Sequence, residues 1–387
     1  TADELARPMK SLGVLCIGGL HTHQENHAAG FDADERSHIV AVADEVGVDE
    51  RRRGLNIRLA EQYGVPYIEG IDEALALPDV DIVSMCADVE RRGRVAVACA
   101  NAGKILYLDK PLAANADAAR EIVEAVAESN VISQMYSFVH TPWAKAAKAC
   151  VESGRLGKLL AVHADILFAK GPGGTAVGDV ARVETAVPET FTFVESKREF
   201  FDLGVYPIGL CLWIADSDAE EVSAVTGNYF FEQHVKNDTE DFGAVSMKLA
   251  SGVVATATGG RIGWHSHPAG GPHRITVVGE LGTERFDAWE PRLETYSTAK
   301  RPELPTPHPD DPMGMWRSTQ QASGVPRKTT FAPFADETRW YFDDISAFLD
   351  CLEQGSEPVM SAARAFGPSK VISAAYRSAA SGGVERV

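Results

Sequence analysis

Apolar and polar positions follow two rhythms that take turns over the first part of the chain. Short apolar runs at 12–19, 38–44, 79–86, 104–109 and 131–137 read as strands, the first ending in glycines and the second in an acid. Segments of helical spacing lie between them, at 49–64 closed by Gly64, at 91–103 closed by Gly103, and at 115–130. Such alternation with short connections predicts a parallel sheet covered by helices on both faces.

Past Pro142 the rhythm changes. A helix over 141–154 leads into strand-like runs at 158–168, 220–231, 241–250, 252–262 and 273–279, interrupted by one helix over 200–216. Strands that follow one another without helices between most of them predict a largely antiparallel sheet. Residues 300–333, rich in proline, glycine and polar side chains, read as a long loop, and helices over 338–355 and 361–382 follow. This places a first domain at 1–140 and a second at 141–387, with the last helices able to pack back on the first domain.

Length and charge narrow the picture. The 387 residues fit two domains comfortably. A formal net charge of −18 repels phosphate backbones and anionic headgroups, so neither nucleic acid nor a membrane surface is the expected partner. Six cysteines lie mostly inside apolar runs with no C-x-x-C pair, the pattern of buried thiols in a reducing compartment. The opening TADELARPMK has no apolar signal core and no apolar run reaches membrane-span length, so a cytoplasmic protein is expected.

The first candidate site is the turn after the first strand, Gly18-Gly19-Leu20-His21-Thr22-His23. In a parallel sheet, glycines here allow close approach of a dinucleotide's diphosphate to a helix N-terminus. The usual G-x-G-x-x-G is broken, since Leu20 and His23 hold its third and sixth positions, and a glycine turn of an unrelated α/β domain would look similar. Asp44 closes the second strand where an acid accepts from the adenosine ribose hydroxyls and repels a 2′-phosphate, which favours NAD over NADP. Arg51, Arg52 and Arg53 could bind that phosphate, but they read first as the solvated start of a helix.

The strand GKILYLDKPLA (103–113) resembles the E-K-P segment of the Gfo/Idh/MocA oxidoreductase family, with Asp109 in place of glutamate. The resemblance continues through ESGRLGKLLAVHA (152–164), EFFDLGVYPIGLCLWI (199–214), DFGAVSMKLASGVVATATGG (241–260) and residues 357–382, in order over nearly the whole chain. It implies an N-terminal Rossmann dinucleotide-binding domain and a C-terminal α+β domain with a large, mostly antiparallel open sheet, often the interface of a homo-oligomer, dimer or tetramer. It implies a hydride exchanged between NAD and a sugar- or polyol-type hydroxyl. Cofactor contacts are expected from Gly18, Gly19, His21, Asp44, Cys86, Asp109 and Lys110, substrate contacts from Lys110, His140 and Tyr206.

The family's D-x-G-x-[HY] is here Asp202-Leu203-Gly204-Val205-Tyr206, with the tyrosine of the glucose–fructose oxidoreductase and dihydrodiol dehydrogenase branch. Asp202 and Tyr206 at i and i+4 share one face of a helix. Tyrosine's reference pKa near 10 is high for a base, and a neighbouring ammonium such as Lys110 favours the phenolate (values about as in free peptides). Lys110, Tyr206 and Asp202 are therefore the expected catalytic residues, although Tyr206 alone would read as a core tyrosine. The family's T-P-x-x-x-H after the fourth strand is replaced by Ala87-Asp88-Val89-Glu90-Arg91-Arg92, and 171–195 does not read like the common family loop.

Three other readings stand beside this one, the first a non-catalytic dinucleotide binder that signals through a partner, against which the retention of Lys110 and Tyr206 argues. HTHQENH (21–27) and WHSHPAGGPH (264–273) each hold an H-x-H, which in a barrel could serve a metal-dependent hydrolase. On the same fold, a redox-neutral lyase or glycosidase could use NAD transiently. The leading reading needs no metal, because lysine and tyrosine supply the polarisation.

Overall fold

The structure is a computed structural model and describes residues 11–18, 23–169, 198–229, 232–263, 272–288, 292–297, 327–331 and 339–387. The chain divides into two compact units, one of Thr1–Tyr136 with Tyr341–Phe366, the other of Ser137–Trp340 with Gly367–Val387.

In the first unit, strands β1 (Leu12–Ile17), β2 (Ser37–Asp44), β3 (Tyr67–Glu69), β4 (Ile82–Met85), β5 (Ile105–Leu108) and β6 (Ser133–Met135) form one parallel sheet in the order β3-β2-β1-β4-β5-β6. Helices α1 (His23–Asp32), α2 (Glu50–Tyr63), α3 (Ile71–Leu75), α4 (Val89–Asn101) and α5 (Ala116–Ser129) connect them. β4 is buried throughout and β1 nearly so, as continuous apolar runs must be when helices cover both faces. Helix ends follow their sequence signals. The Asp49 side chain accepts from the N–H of Arg52 to start α2, and Gly64 ends it at φ 65°. Asn115 does the same for α5, accepting from Ala118 N–H, and the buried Ala119, Ile122 and Ala125 mark its inner face.

In the second unit, α6 (Pro142–Glu152) and α7 (Glu199–Ala215) accompany a nine-stranded sheet. Its strands are β7 (Leu159–Ala169), β8 (Ala219–Gly227), β9 (Phe242–Leu249), β10 (Val254–Gly263), β11 (His273–Gly279), β12 (Gly282–Asp287), β13 (Arg292–Ser297), β14 (Arg327–Phe331) and β15 (Glu385–Arg386). They run in the order β14-β13-β12-β11-β7-β10-β9-β8-β15. A short helix α8 (Glu232–Lys236) joins β8 to β9. Among the described residues every pairing is antiparallel except β7 with β10, so the sheet is mixed. β9 and β11 alternate buried with less buried positions, one face of the sheet being covered. The strands β12, β13, β14 and β15 went unpredicted, as did β3 in the first unit, with β14 falling inside the stretch read as a loop.

α7 supplies the cover. It is apolar nearly all round, is buried along almost its whole length, and packs across β7, β9 and β10. The approach depends on Gly259, while a Cβ on Gly204 would meet the Phe200 ring of the same helix at 2.9 Å. A Cβ on Gly259 of β10 would stand 2.8 Å from the Cα of Gly204, inside van der Waals contact. Gly204 is the glycine of the D-x-G-x-Y segment, so the motif's central position has a packing reason.

The last helices are α9 (Arg339–Gln354) and α10 (Ala362–Ser381). From Tyr341 on, α9 belongs to the first unit, where the Asp344 carboxylate accepts from Tyr107 Oη at 2.7 Å and Gln134 Nε2 at 2.8 Å. No helix among the described residues is long and apolar enough to cross a membrane.

Candidate active site

The order of the first sheet reverses between β1 and β4, with β2 and β3 on one side and β5 and β6 on the other. Loops leaving the carboxyl ends of the strands diverge at such a point and open a crevice. Gly18 follows β1, Asp44 ends β2, Cys86 follows β4, and Asp109 and Lys110 follow β5, so these five sequence-predicted residues share one edge. Gly19 and His21 lie outside the described residues, as do His265 and His267.

Gly18 has no room for a side chain, because a Cβ there would fall 1.8 Å from Asn56 Oδ1. Asn56 in turn belongs to a network built around Asp44. One Asp44 oxygen accepts from Arg52 Nε and Asn56 Nδ2, both at 2.9 Å, the other from Arg91 Nη1 at 2.9 Å and the Glu45 N–H at 2.8 Å. Arg52 and Arg91 both continue to Asp88, at 2.6 and 3.2 Å. Arg52 is thus a buried partner of the acid and not part of a solvated helix start. Arg51 and Arg53 are exposed, Arg53 pairing with Glu69.

Asp109 is buried and held from two sides. Its Oδ1 pairs with His23 Nδ1 at 3.0 Å and its Oδ2 with Arg92 Nη2 at 3.2 Å. Burial alone would raise the Asp109 carboxyl, but His23 and Arg92 outweigh it and hold the group well below the usual carboxylate range. Lys110, next along the chain, is 5% exposed. Cys86 Sγ lies 3.1 Å from His27 Nδ1 in a pocket walled by the Tyr107, Tyr136 and Tyr341 rings. Burial pushes the His27 imidazole down to about 3 and the Cys86 thiol well up, so this is a neutral pair.

In the second unit, α7 carries Asp202, half-buried, and Tyr206, 5% exposed. The Tyr206 ring stacks on Phe138, with centroids 3.9 Å apart and planes 7° from parallel. Phe138 also meets the rings of Trp143, His273 and Trp340, which fixes the platform under the tyrosine. His140 is buried near the start of this unit. At the start of α7, Glu199 pairs with Arg261 at 2.9 Å, and burial pushes its carboxyl up. His234 and Asp241, both buried, pair at 2.7 Å.

Arg91, Arg92 and Phe138 were not among the site residues expected from the sequence, whereas His23 belonged to the candidate glycine turn. A signal existed for the arginines: two adjacent guanidinium groups open the apolar helix Arg91–Gly103, and arginine is seldom fully buried without a partner.

The topology excludes the barrel that a metal-dependent hydrolase on the H-x-H segments would need, since the strands form two open sheets. Among the described residues, no group of three His, Cys, Asp or Glu side chains could hold a metal ion.

The sequence pattern described as "Oxidoreductase family, NAD-binding Rossmann fold" matches residues 12–137, and that of the "GFO/IDH/MocA C-terminal domain" matches 144–285. The chain belongs to the Gfo/Idh/MocA oxidoreductase family. Among its relatives, the myo-inositol 2-dehydrogenase of Thermotoga maritima is 25% identical over 275 residues, 70% of this chain and 73% of the relative. The trans-1,2-dihydrobenzene-1,2-diol dehydrogenase of Danio rerio is 23% identical over 353 residues, 89% of this chain and 96% of the relative. The fold matches that of a levoglucosan dehydrogenase solved with NADH and levoglucosan, at a TM-score of 0.75 and 17% identity over 98% of this chain and 99% of that one.

NAD is the cofactor of this oxidoreductase. The carboxyl edge fits it, since a glycine follows β1 and the N-terminal end of a helix follows that glycine, the arrangement that accommodates a dinucleotide's diphosphate.

Proposed function

We propose that this oxidoreductase transfers a hydride between NAD and a CH–OH group of a sugar or polyol, with Lys110 and Tyr206 as its proton-transfer pair. The observation that carries the reading is Lys110, a lysine buried at the carboxyl edge of the parallel sheet beside an aspartate already engaged by His23 and Arg92. Bound NAD supplies the hydride acceptor.

The chain's own residues do the rest. The Lys110 ammonium donates to the substrate oxygen and orients its C–H bond, and Tyr206, acting as the phenolate, takes the hydroxyl proton as the hydride leaves for NAD and the alcohol becomes a carbonyl. Asp202, one turn earlier on α7, holds Tyr206 or a second hydroxyl by hydrogen bonding, and His140 contacts the substrate. On the cofactor side, Gly18, Gly19 and His21 line the diphosphate loop, Cys86 and Asp109 the nicotinamide side, and Asp44 sets the preference for NAD. We further read the protein as a cytoplasmic homo-oligomer, a dimer or tetramer joined through the second sheet, where Val225 and Val254 are exposed on strands β8 and β10.

Purified chain with NAD and a panel of polyols and sugars, including myo-inositol and levoglucosan, tests the reading through NADH absorbance. Net NADH is expected from at least one of them. Bound NAD with no net reduction on any polyol or sugar would overturn it.

A further inference from the structure

Three positions at which this chain departs from its family's sequence pattern meet at one point. His23 stands where G-x-G-x-x-G has its last glycine, Arg92 where T-P-x-x-x-H has its histidine, and Asp109 where E-K-P has its glutamate. In the structure the Asp109 carboxylate takes His23 on one oxygen and Arg92 on the other. In this chain the three departures thus meet at one buried carboxylate.

The geometry also says what the cluster does. β1, β4 and β5 are neighbours in that order, so a bond from the start of α1 to the end of β5 spans the end of β4, across the switch point. Arg92 ties down the other side. Its Nη1 donates to the backbone oxygens of Asp109, at 3.2 Å, and of Pro111, the residues flanking Lys110, while its Nε donates to Ala87 O at 3.0 Å. The first turn of α1, the β4–α4 connection and the backbone on either side of Lys110 are thereby fixed to one buried carboxylate.

We propose that His23 is a cofactor-positioning residue, whose bond to Asp109 holds the start of α1 in register with Lys110. The proposal rests on NAD binding at this edge. It assigns to a histidine the position where the usual pattern has a glycine: where that glycine allows close backbone approach, this side chain straps α1 to the end of β5.

His23 is 23% exposed, so its replacement should leave the fold standing. The test is NADH binding, followed by fluorescence, in wild type, His23→Ala, His23→Asn, Asp109→Asn and the double variant His23→Ala/Asp109→Asn, with the melting temperature of each apo protein alongside. His23→Ala should weaken NADH binding roughly tenfold or more, the usual range for losing a hydrogen bond to a charged group. His23→Asn places an amide near the Nδ1 position and should recover most of that loss. The double variant should bind little worse than the poorer single, because both changes remove the same contact. Wild-type affinity in a folded His23→Ala, or additive losses in the double variant, would overturn the proposal. A wild type that binds no NADH would instead count against the cofactor assignment itself.

Discussion

The Asp44 carboxylate shows how one residue's role depends on what surrounds it. With four protein donors on its two oxygens it has little capacity left for ribose hydroxyls, and its negative charge is matched by Arg52 and Arg91. Replacing Asp44 should therefore do more than remove a repulsion. It releases two guanidinium groups beside the position where a 2′-phosphate would lie. Asp44→Asn, which keeps the shape, is expected to raise NADP(H) affinity relative to NAD(H) about tenfold, the effect of one charge-assisted hydrogen bond. Titration of both proteins with both cofactors checks this, and an unchanged ratio would remove Asp44 from the specificity account. His27 gives a pH prediction of known sign. Its folded-state pKa, near 3, lies below the ordinary 6.5, so the unfolded chain binds the extra proton. The neutral imidazole's contribution is complete above pH 6.5 and is lost as pH falls toward 3. Relative to His27→Gln, wild type should lose up to about 1.4 kcal/mol of stability per pH unit over that window. Denaturant melts of the two at several pH values would show parallel curves if the assignment were wrong.

At the scale of elements, the close contact of α7 with β10 ties packing to the proposed chemistry, because α7 carries Asp202 and Tyr206. Gly259→Ala forces its Cβ against the Gly204 backbone and should cost about 1–3 kcal/mol, as overpacking does. Turnover should fall along with the melting temperature. Full activity at reduced stability would show that the helix can shift without moving the site. The elements themselves were largely legible in the sequence. The apolar runs of β1, β4 and β5 and the caps of α2 and α5 are local signals, and the structure follows them. What the sequence left unread is non-local. The parallel pairing of β7 with β10 joins Ala161 to Val254 across a long sequence gap, and β13 and β14 have too little alternation to stand out. The Asp44 and Asp109 networks likewise bring residues from separate elements together, and spacing along the chain carries no trace of that.

For the molecule as a whole, the proposed proton-transfer pair is divided between the two units. Lys110 stands in the first and Tyr206 in the second, each placed by its own sheet, and the sequence could name the pair only because the family resemblance named it. In the proposed function these two residues share one proton-transfer step. The measurement that tests it most directly is steady-state turnover of wild type, Lys110→Met, Tyr206→Phe and the double variant on a polyol or sugar that yields NADH, with NADH binding measured alongside. Tyr206→Phe keeps the ring on Phe138, so it should fold and bind NADH normally while kcat drops by roughly two to four orders of magnitude. Lys110→Met should lose at least as much, and the double variant should be little worse than the poorer single. Near-wild-type turnover in a folded Tyr206→Phe, or losses that multiply in the double variant, would contradict the account.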